Sequence, residues 1–349
     1  MTEEQLKALL DNYIDDSTSA YEDIERDVHK ATDYYLGKPY GNEVKGKSSV
    51  TTREVAEAVD GALPQLLKIF TQSVNVVEFT PQNDGDASVA ENVTQYVNHI
   101  YNKDNAGAII MHNWFWDALV NKVGIVKAYW DTKQDVTEEE YFGLSQEELS
   151  MLMQDETVEI VEQEEIMGEM IPVGVDPMTG ETMLQQAPSL YNVRLKKTSD
   201  ASRVKIENVP TAEFMIDRHS DCIDDARFVA QRKMMTRAEL VAMGYDKEII
   251  DDLSTDEEIE LDKQTTDVNN TDKSQDLITY YECYIDIGDE NGLAKKHRVC
   301  YASKTILSDE EIDYVPFYSL CPFPVPHEFY GQSLADRTMD LQFIKSTIT

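Results

Sequence analysis

The sequence predicts an α+β protein of helices with mixed or antiparallel strands. The N-terminal third and the last twenty or so residues carry apolar side chains at helical spacing. The middle instead carries short β-branched and aromatic runs bounded by turn residues. An apolar fraction of 41% over 349 residues is enough for a buried core. At roughly 150 residues per domain, the length suggests two domains.

Residues 3–36 read as helical, with Leu6, Leu9, Leu10, Tyr13 and Ile14 on one side. Asp16-Ser17-Thr18-Ser19 is expected to interrupt this helix, with Ser17 or Ser19 capping a second one. Gly37 to Asn42 has turn chemistry. Thr51 and Glu54 have the spacing of a capping box, in which each side chain satisfies the other's exposed amide. The helix that follows presents Val55, Val59, Leu63, Leu66 and Phe70, and Pro64 inside it should kink it. A strand is expected over Val74–Thr80. A helix over 86–103 has Val89, Val93, Tyr96, Val97 and Ile100 on one side. Another covers 107–122, with Trp114-Phe115-Trp116 as core packing. Ile125–Trp130 reads as a strand.

Farther along, Thr157–Ile166 and Leu190–Lys196 are expected strands around an irregular insertion that turns at Asp176 to Gly180. Residues 203–217 and 227–234 read as short strands. Thr236 should cap a helix reaching Met243, a second helix covers 246–253, and the polar run 254–275 reads as a mobile loop. Leu277–Ile287 and Leu293–Tyr301 suggest a hairpin turning at Asn291-Gly292. Pro316, Pro322, Pro324 and Pro326 argue against regular structure. Residues 331–349 are helical again, with Leu334, Leu341, Ile344 and Ile348 repeating, and no stop signal follows.

The net charge is -36, from 31 basic and 67 acidic residues. It is concentrated in three segments. Residues 134–193 hold 15 acids and no base, residues 246–276 hold 12 acids and 3 lysines, and residues 1–27 hold 9 acids and 2 bases. Such runs suit solvated faces and loops. This balance excludes a protein that grips phosphates by counterion release, although DNA can still be handled without being held. No run approaches the roughly 20 apolar residues of a membrane span. The acidic, helical N-terminus is unlike a signal peptide. Cys222, Cys283, Cys300 and Cys321 are too widely spaced for a zinc ribbon or a CxxC motif, so reduced thiols in a cytosolic setting are expected.

The sharpest motif is Gly41 to Ser48, which fits GxxxxGK[ST] through Gly41, Gly46, Lys47 and Ser48. A phosphate loop needs an apolar strand before it and a helix opening at the Lys-Ser. Here Lys38-Pro39-Tyr40 precedes it, the helix starts late, and Glu43 adds negative charge inside the cradle. The match is read as coincidental, and a nucleotide hydrolase is the weakest rival. Asp286 to Gly292 resembles a calcium loop, but Ile287 and Glu290 fall off pattern and the closing glutamate is missing. His219 and Cys222 have no second pair to complete a metal site. No serine elbow is present, and no acid pair is diagnostic of acid–base work. No catalytic residue, metal or cofactor is therefore expected.

Several blocks in order carry a resemblance. They are Tyr34-Tyr35-Leu36-Gly37-Lys38-Pro39-Tyr40-Gly41-Asn42-Glu43, then Gly46-Lys47-Ser48, Val50 and Thr52, and Leu63-Pro64-Gln65-Leu66 with Phe70. Next come Trp114-Phe115-Trp116-Asp117-Ala118-Leu119-Val120 with Lys122 and Gly124, then Phe214-Met215-Ile216-Asp217-Arg218. Thr236-Arg237-Ala238-Glu239-Leu240 with Gly244-Tyr245 follow, then Pro316-Phe317, and Pro326 through Asp336. Together they resemble the portal protein, or head-to-tail connector, of tailed bacteriophages of the short-tailed podovirus type. The resemblance covers roughly residues 20–349, with gaps near 135–210 and 252–275. It also absorbs the phosphate-loop match into its first block.

The resemblance implies a non-enzymatic structural ring, usually of twelve subunits, at one capsid vertex of the virion, assembled in the host cytoplasm. Double-stranded DNA would enter and leave through its channel without sequence-specific binding. The terminase large subunit, head–tail adaptor proteins, scaffold and the major capsid protein would be partners, and no membrane is implied. Residues 1–137 would form the helical and β N-terminal part of the wing. Residues 138–330 would form its β-rich remainder with acidic insertions, and 331–349 the start of a stem helix. Portals of this type continue through further stem, clip and crown, so a truncated, split or partial chain is expected. Arg337, Asp340 and Lys345, on the more polar side of the last helix, are the candidates for channel lining or subunit contact. The alternative is another acidic head–tail structural protein of the virion.

Overall fold

A computed structural model describes residues 2–348 apart from 42–49, 74, 84, 133, 154, 156, 169, 176–181, 187, 255–272 and 289–293. In chain order it opens with α1 (Glu3–Leu36), α2 (Glu54–Thr71) and α3 (Ala87–His99), which runs into a π-helical turn over Ile100–Asp104. Next come α4 (Gly107–Val120), β1 (Gly124–Asp131), β2 (Gln134–Leu144), α5 (Gln146–Leu152), β3 (Val158–Ile166), β4 (Met170–Val175), β5 (Thr182–Gln186) and β6 (Leu190–Asp200). They are followed by β7 (Arg203–Val209), β8 (Phe214–Ile216), β9 (Phe228–Thr236), α6 (Arg237–Ala242) and α7 (Lys247–Asp251). The chain ends with β10 (Leu277–Gly288), β11 (Ala294–Ala302), β12 (Thr305–Glu311), β13 (Phe317–Leu320) and α8 (Leu334–Ile348). The architecture is α+β, as the sequence predicts. Two compact units emerge, Met1–Tyr129 with Lys205–Thr349, and Trp130–Val204.

The first unit is built on an antiparallel five-stranded meander in the order β12-β11-β10-β9-β8. Its β8, β9, β10 and β11 rows put Met215, Phe228, Ala230, Cys283, Ile285 and Val299 on one side, against Leu6, Leu10 and Ile14 of α1. Each of those aliphatic side chains contributes about 1.5–3 kcal/mol on burial. A second cluster joins Phe214, Ile216, Val229 and Tyr284 of the meander to Ile125, Val209 and Phe317. Those last three belong to a small sheet in the order β13-β1-β7. The helices share a third cluster, in which Ala31, Val55, Val59, Leu63, Phe115 and Leu119 enclose Ala335 and Met339 of α8.

The helix α1 does not break at Asp16 to Ser19. It runs for 34 residues, about 51 Å, because Thr18 Oγ1 donates to Ile14 O (2.7 Å) and so leaves the backbone ladder intact. Thr2 caps its start, and Gly37 ends it in the left-handed region at φ 67°. The expected strand at 74–80 is absent from the described residues 75–80. There, Asn98 Oδ1 accepts from the amides of Val76 (2.7 Å) and Val77 (3.3 Å), and Thr94 Oγ1 accepts from that of Phe79 (2.9 Å). Side chains of α3 thus stand in for a neighbouring strand.

The 203–217 run is two strands, since Glu213 N returns to Pro210 O (2.9 Å) in a turn. The proline-rich stretch does contain a strand, β13, paired antiparallel to β1 with Lys127 opposite Phe317. Pro316 sits just ahead of that strand and needs only its carbonyl, which accepts from Ala128 N (2.9 Å). The Asn291-Gly292 turn lies outside the described residues, but β10 and β11 pair throughout, from Tyr280 opposite Ala302 to Gly288 opposite Ala294.

The second unit is a three-stranded antiparallel sheet in the order β2-β6-β3, with β4-β5 as a separate hairpin. Leu149 of α5 packs on Val193 and Leu195 of the central strand, supported by Tyr141, Leu144, Val158 and Ile160. The region read from sequence as an irregular insertion contains the β4-β5 pairing, with Met170 opposite Gln186 and Val175 opposite Thr182. Asp176 to Gly180 lies outside the described residues.

Candidate functional site

The last helix, α8, is where the predicted site residues gather. Its start is fixed by Ser333, whose Oγ accepts from Asp336 N (2.9 Å) while Asp336 Oδ2 accepts from Ser333 N (2.8 Å). Lys122 Nζ then lies 3.2 Å from Asp336 and 3.1 Å from Asp27 of α1. Burial works against the Lys122 ammonium, but the two carboxylates outweigh it and raise its pKa above the ordinary lysine value. Next to it Gly124 is obligatory, because a Cβ there would collide with the backbone oxygen of Trp114.

One and two turns along, the buried face of α8 becomes polar. Gln342 is fully buried, and its Nε2 donates to Tyr34 O (2.9 Å) while its Oε1 accepts from Val55 N (2.9 Å). Ser346 Oγ accepts from Thr52 N (3.0 Å), and Lys345 Nζ meets Glu54 at 2.8 Å. The Thr51–Glu54 capping box therefore does not form. Thr51 Oγ1 donates to Gly37 O (2.7 Å) instead, and α2 has no side-chain cap of its own. Gln342 of α8 serves one first-turn amide of α2 and one carbonyl of α1 together.

The opposite face of α8 is inverted relative to an ordinary surface helix. Leu341, Ile344 and Ile348 are 49%, 54% and 80% exposed, while Ala335, Met339 and Gln342 are buried. Leu334 alone of the four repeating apolar residues packs into the helix cluster. Residues 337, 341, 344 and 348 share one side at helical spacing, so Arg337 lies on the apolar stripe. Its guanidinium stacks 3.7 Å from the centre of the Phe323 ring, and its Nε donates to Gln332 Oε1 (3.3 Å). Asp340 is exposed, and its charge helps burial to raise the Tyr34 phenol. Lys345 is the member of the three turned back to α2, through Glu54.

Sequence reasoning missed Gln342, Ser346, Thr52 and Lys122. The available signal was the spacing of Ala335, Met339, Gln342 and Ser346, which share one side of the helix.

Other candidates lie elsewhere. Gly41 is an exposed turn residue at φ 80°, and Gly46, Lys47 and Ser48 lie outside the described residues. Asp221, Cys222 and Asp225 bring three potential ligand atoms within 4.8 Å of one another, without His219. A backbone hydrogen bond from Asp225 lowers the Cys222 thiol pKa, but burial and the Asp225 carboxylate outweigh it and hold the thiol above its ordinary value. The Trp114-Phe115-Trp116 run is packing: Phe115 is buried against Phe70 (5.6 Å), and Trp116 meets Tyr35 edge-on (5.5 Å). Among the described residues no helix is long and apolar enough to cross a membrane.

No curated protein matches the chain. The family model described as the phage SU10 portal protein matches residues 6–349, nearly the whole sequence, including every block from Tyr34 to Asp336 and all of α8 that is described. The chain belongs to this portal family, and is a structural component of a bacteriophage virion.

Proposed function

We propose that the protein is one subunit of a ring, of about twelve copies by the family resemblance, set at one capsid vertex. Double-stranded DNA is packaged and ejected through it. Residues 1–137 and 138–330 are the two parts of its wing, and 331–349 begin its stem. The ring docks the terminase large subunit and head–tail adaptors, meets scaffold and major capsid protein during assembly in the host cytoplasm, and performs no catalysis itself.

The observation that carries this reading is the inverted α8. A helix tied to its own subunit by Gln342, Ser346 and Lys122, with Leu341, Ile344 and Ile348 turned outward, is built to pack against a neighbour. In a ring that contact is heterologous and closes on itself. Arg337 on the stripe and Asp340 and Lys345 beside it are the candidates for subunit contact or channel lining. A net charge of -36 suits a conduit that passes phosphates without holding them.

Electron microscopy of the full-length protein tests this directly; the 349 residues alone can stay monomeric if further stem and clip supply the subunit contacts. Rings with a central hole are expected, and Ile344→Glu should abolish them while leaving the circular dichroism spectrum intact. Monomers alone at every concentration, or rings unaffected by Ile344→Glu, overturn the reading.

A further inference from the structure

The second unit carries an exposed face that the ring does not explain. One side of its sheet is closed by Leu149, Val193 and Leu195. Among the described residues the other side is open. On it the two bases of the central strand are each bracketed by acids. Lys196 lies opposite Glu138 of β2 and Glu159 of β3, and Arg194 lies opposite Glu140 and Glu162. Arg194 meets Glu140 at 2.9 Å and Glu162 at 3.2 Å, so its charge is already spent. Glu164, opposite Asn192, adds a further carboxylate on the same side. Glu140, Phe142, Glu162, Glu164, Asn192 and Arg194 line a depression of about 550 Å³.

The depression is not only acidic. Phe142 is 73% exposed at its edge, and Ile166 and Leu190, exposed and directly opposite each other, continue an apolar strip from it. An aromatic ring beside surplus carboxylates is the chemistry that receives a guanidinium or ammonium group. The adjoining strip then receives an apolar side chain. A nucleic acid is repelled here by the carboxylates. A second copy of the chain, at net charge -36, is a poor match for an acidic face.

We propose that this open sheet face docks a protein segment that presents a basic side chain to the depression and an apolar one to the Leu190–Ile166 strip. Charge complementarity selects the partner, and Phe142 with the strip gives the contact its specificity. The inference does not depend on ring formation.

The test uses the full chain and a fluorescein-labelled short peptide alternating arginine and leucine, read by anisotropy. Phe142→Ser and Glu164→Lys should each weaken binding about tenfold, the loss of about 1.4 kcal/mol. Glu4→Lys, the same charge change on exposed α1, should leave binding unchanged, and the peptide with serine for leucine should bind at least tenfold more weakly. If Glu4→Lys weakens binding as much as Glu164→Lys, the attraction is diffuse and the proposal fails. It fails also if Phe142→Ser has no effect, or if Phe142→Ser abolishes self-association of the chain, which would make a second copy the occupant.

Discussion

The two units use charge in opposite ways. In the first, ionised groups are drawn inside and tied. Glu282 of β10 is buried, contacts Lys127 of β1, and accepts from Tyr284 Oη (2.7 Å) and Arg298 Nε (2.8 Å). Burial pushes its carboxyl pKa up, but the Lys127 ammonium and the Arg298 guanidinium outweigh that and hold it down to about 2. Glu207 repeats the pattern with Lys233 (3.0 Å) and Lys205 (3.1 Å). In the second unit the charges stay in water, and among the described residues only Leu149, Val193 and Leu195 are buried hydrophobics. Where a core is deep, an ion must be paired to be present at all. Where it is thin, acids accumulate without cost and shape what the surface attracts.

The largest effect should come from breaking an internal tie. Glu282→Gln leaves the Lys127 ammonium buried without its carboxylate, and should cost about 3–5 kcal/mol in urea unfolding. The sign with pH follows from a depressed carboxyl. The wild-type contribution is fully present above about pH 4.5 and is lost as pH falls through about 2. A loss below about 1 kcal/mol would show that the ion cluster is not what holds β1 to the meander. Gln342→Leu comes next. It keeps the volume but strands Val55 N, a buried amide, while Tyr34 O keeps its bond from Gly37 N (3.0 Å), and should cost about 1–3 kcal/mol. Glutamate at the same position would not substitute, because the group must both donate and accept.

Asp117 of α4 sharpens the rule by exception. It is a half-buried carboxylate that, among the described residues, forms no ion pair. Burial raises its pKa to about 6, against a smaller lowering by Asn121, which donates from Nδ2 at 3.1 Å. A raised carboxyl means the folded state holds its proton longer, so this group's contribution to stability falls as pH rises from about 4 to about 6. Asp117→Asn should therefore stabilise the protein at pH 8 by about 1–3 kcal/mol, with the gain vanishing near pH 4. A gain that does not change with pH would remove the carboxyl as its cause.

How much of this was readable beforehand depended on whether the deciding partner was near in sequence. Thr236 and Glu239 form the capping box that Thr236 suggested, since nothing distant competes for either. Thr51 and Glu54 have the same spacing and do not, because Gln342 and Lys345 arrive from almost 300 residues away. The hairpin from β11 to β12 turns on Ser303 and Lys304, at φ 44° and 64°, residues that do not announce a positive-φ turn as Asn-Gly does. In the second unit, β2 and α5 were missed because β2 is rich in Glu and a bulge brings Tyr141 and Leu144, three apart, to the same side, so no period-two pattern shows. The candidate site was legible as a helix and as a set of charges. Its orientation was not, since a helix meant for a neighbour shows the same periodicity as one meant for its own core.

The smallest effect should be at Arg194, and its smallness is the point. Arg194 has two carboxylate partners, Glu140 and Glu162, one more than Lys127 has, yet all three are exposed or partly exposed on the open sheet. Solvent screens such pairs, and holding long side chains together costs rotamer freedom. Arg194→Ala should leave the unfolding midpoint unchanged within error, even though the number of ion pairs falls by two. It should instead raise affinity for the basic probe peptide, because Glu140 and Glu162 are released from an internal competitor. A clear drop in the midpoint would mean that this face is buried against something in the folded protein, and the contrast between tied and solvated charge would have to be redrawn at that sheet.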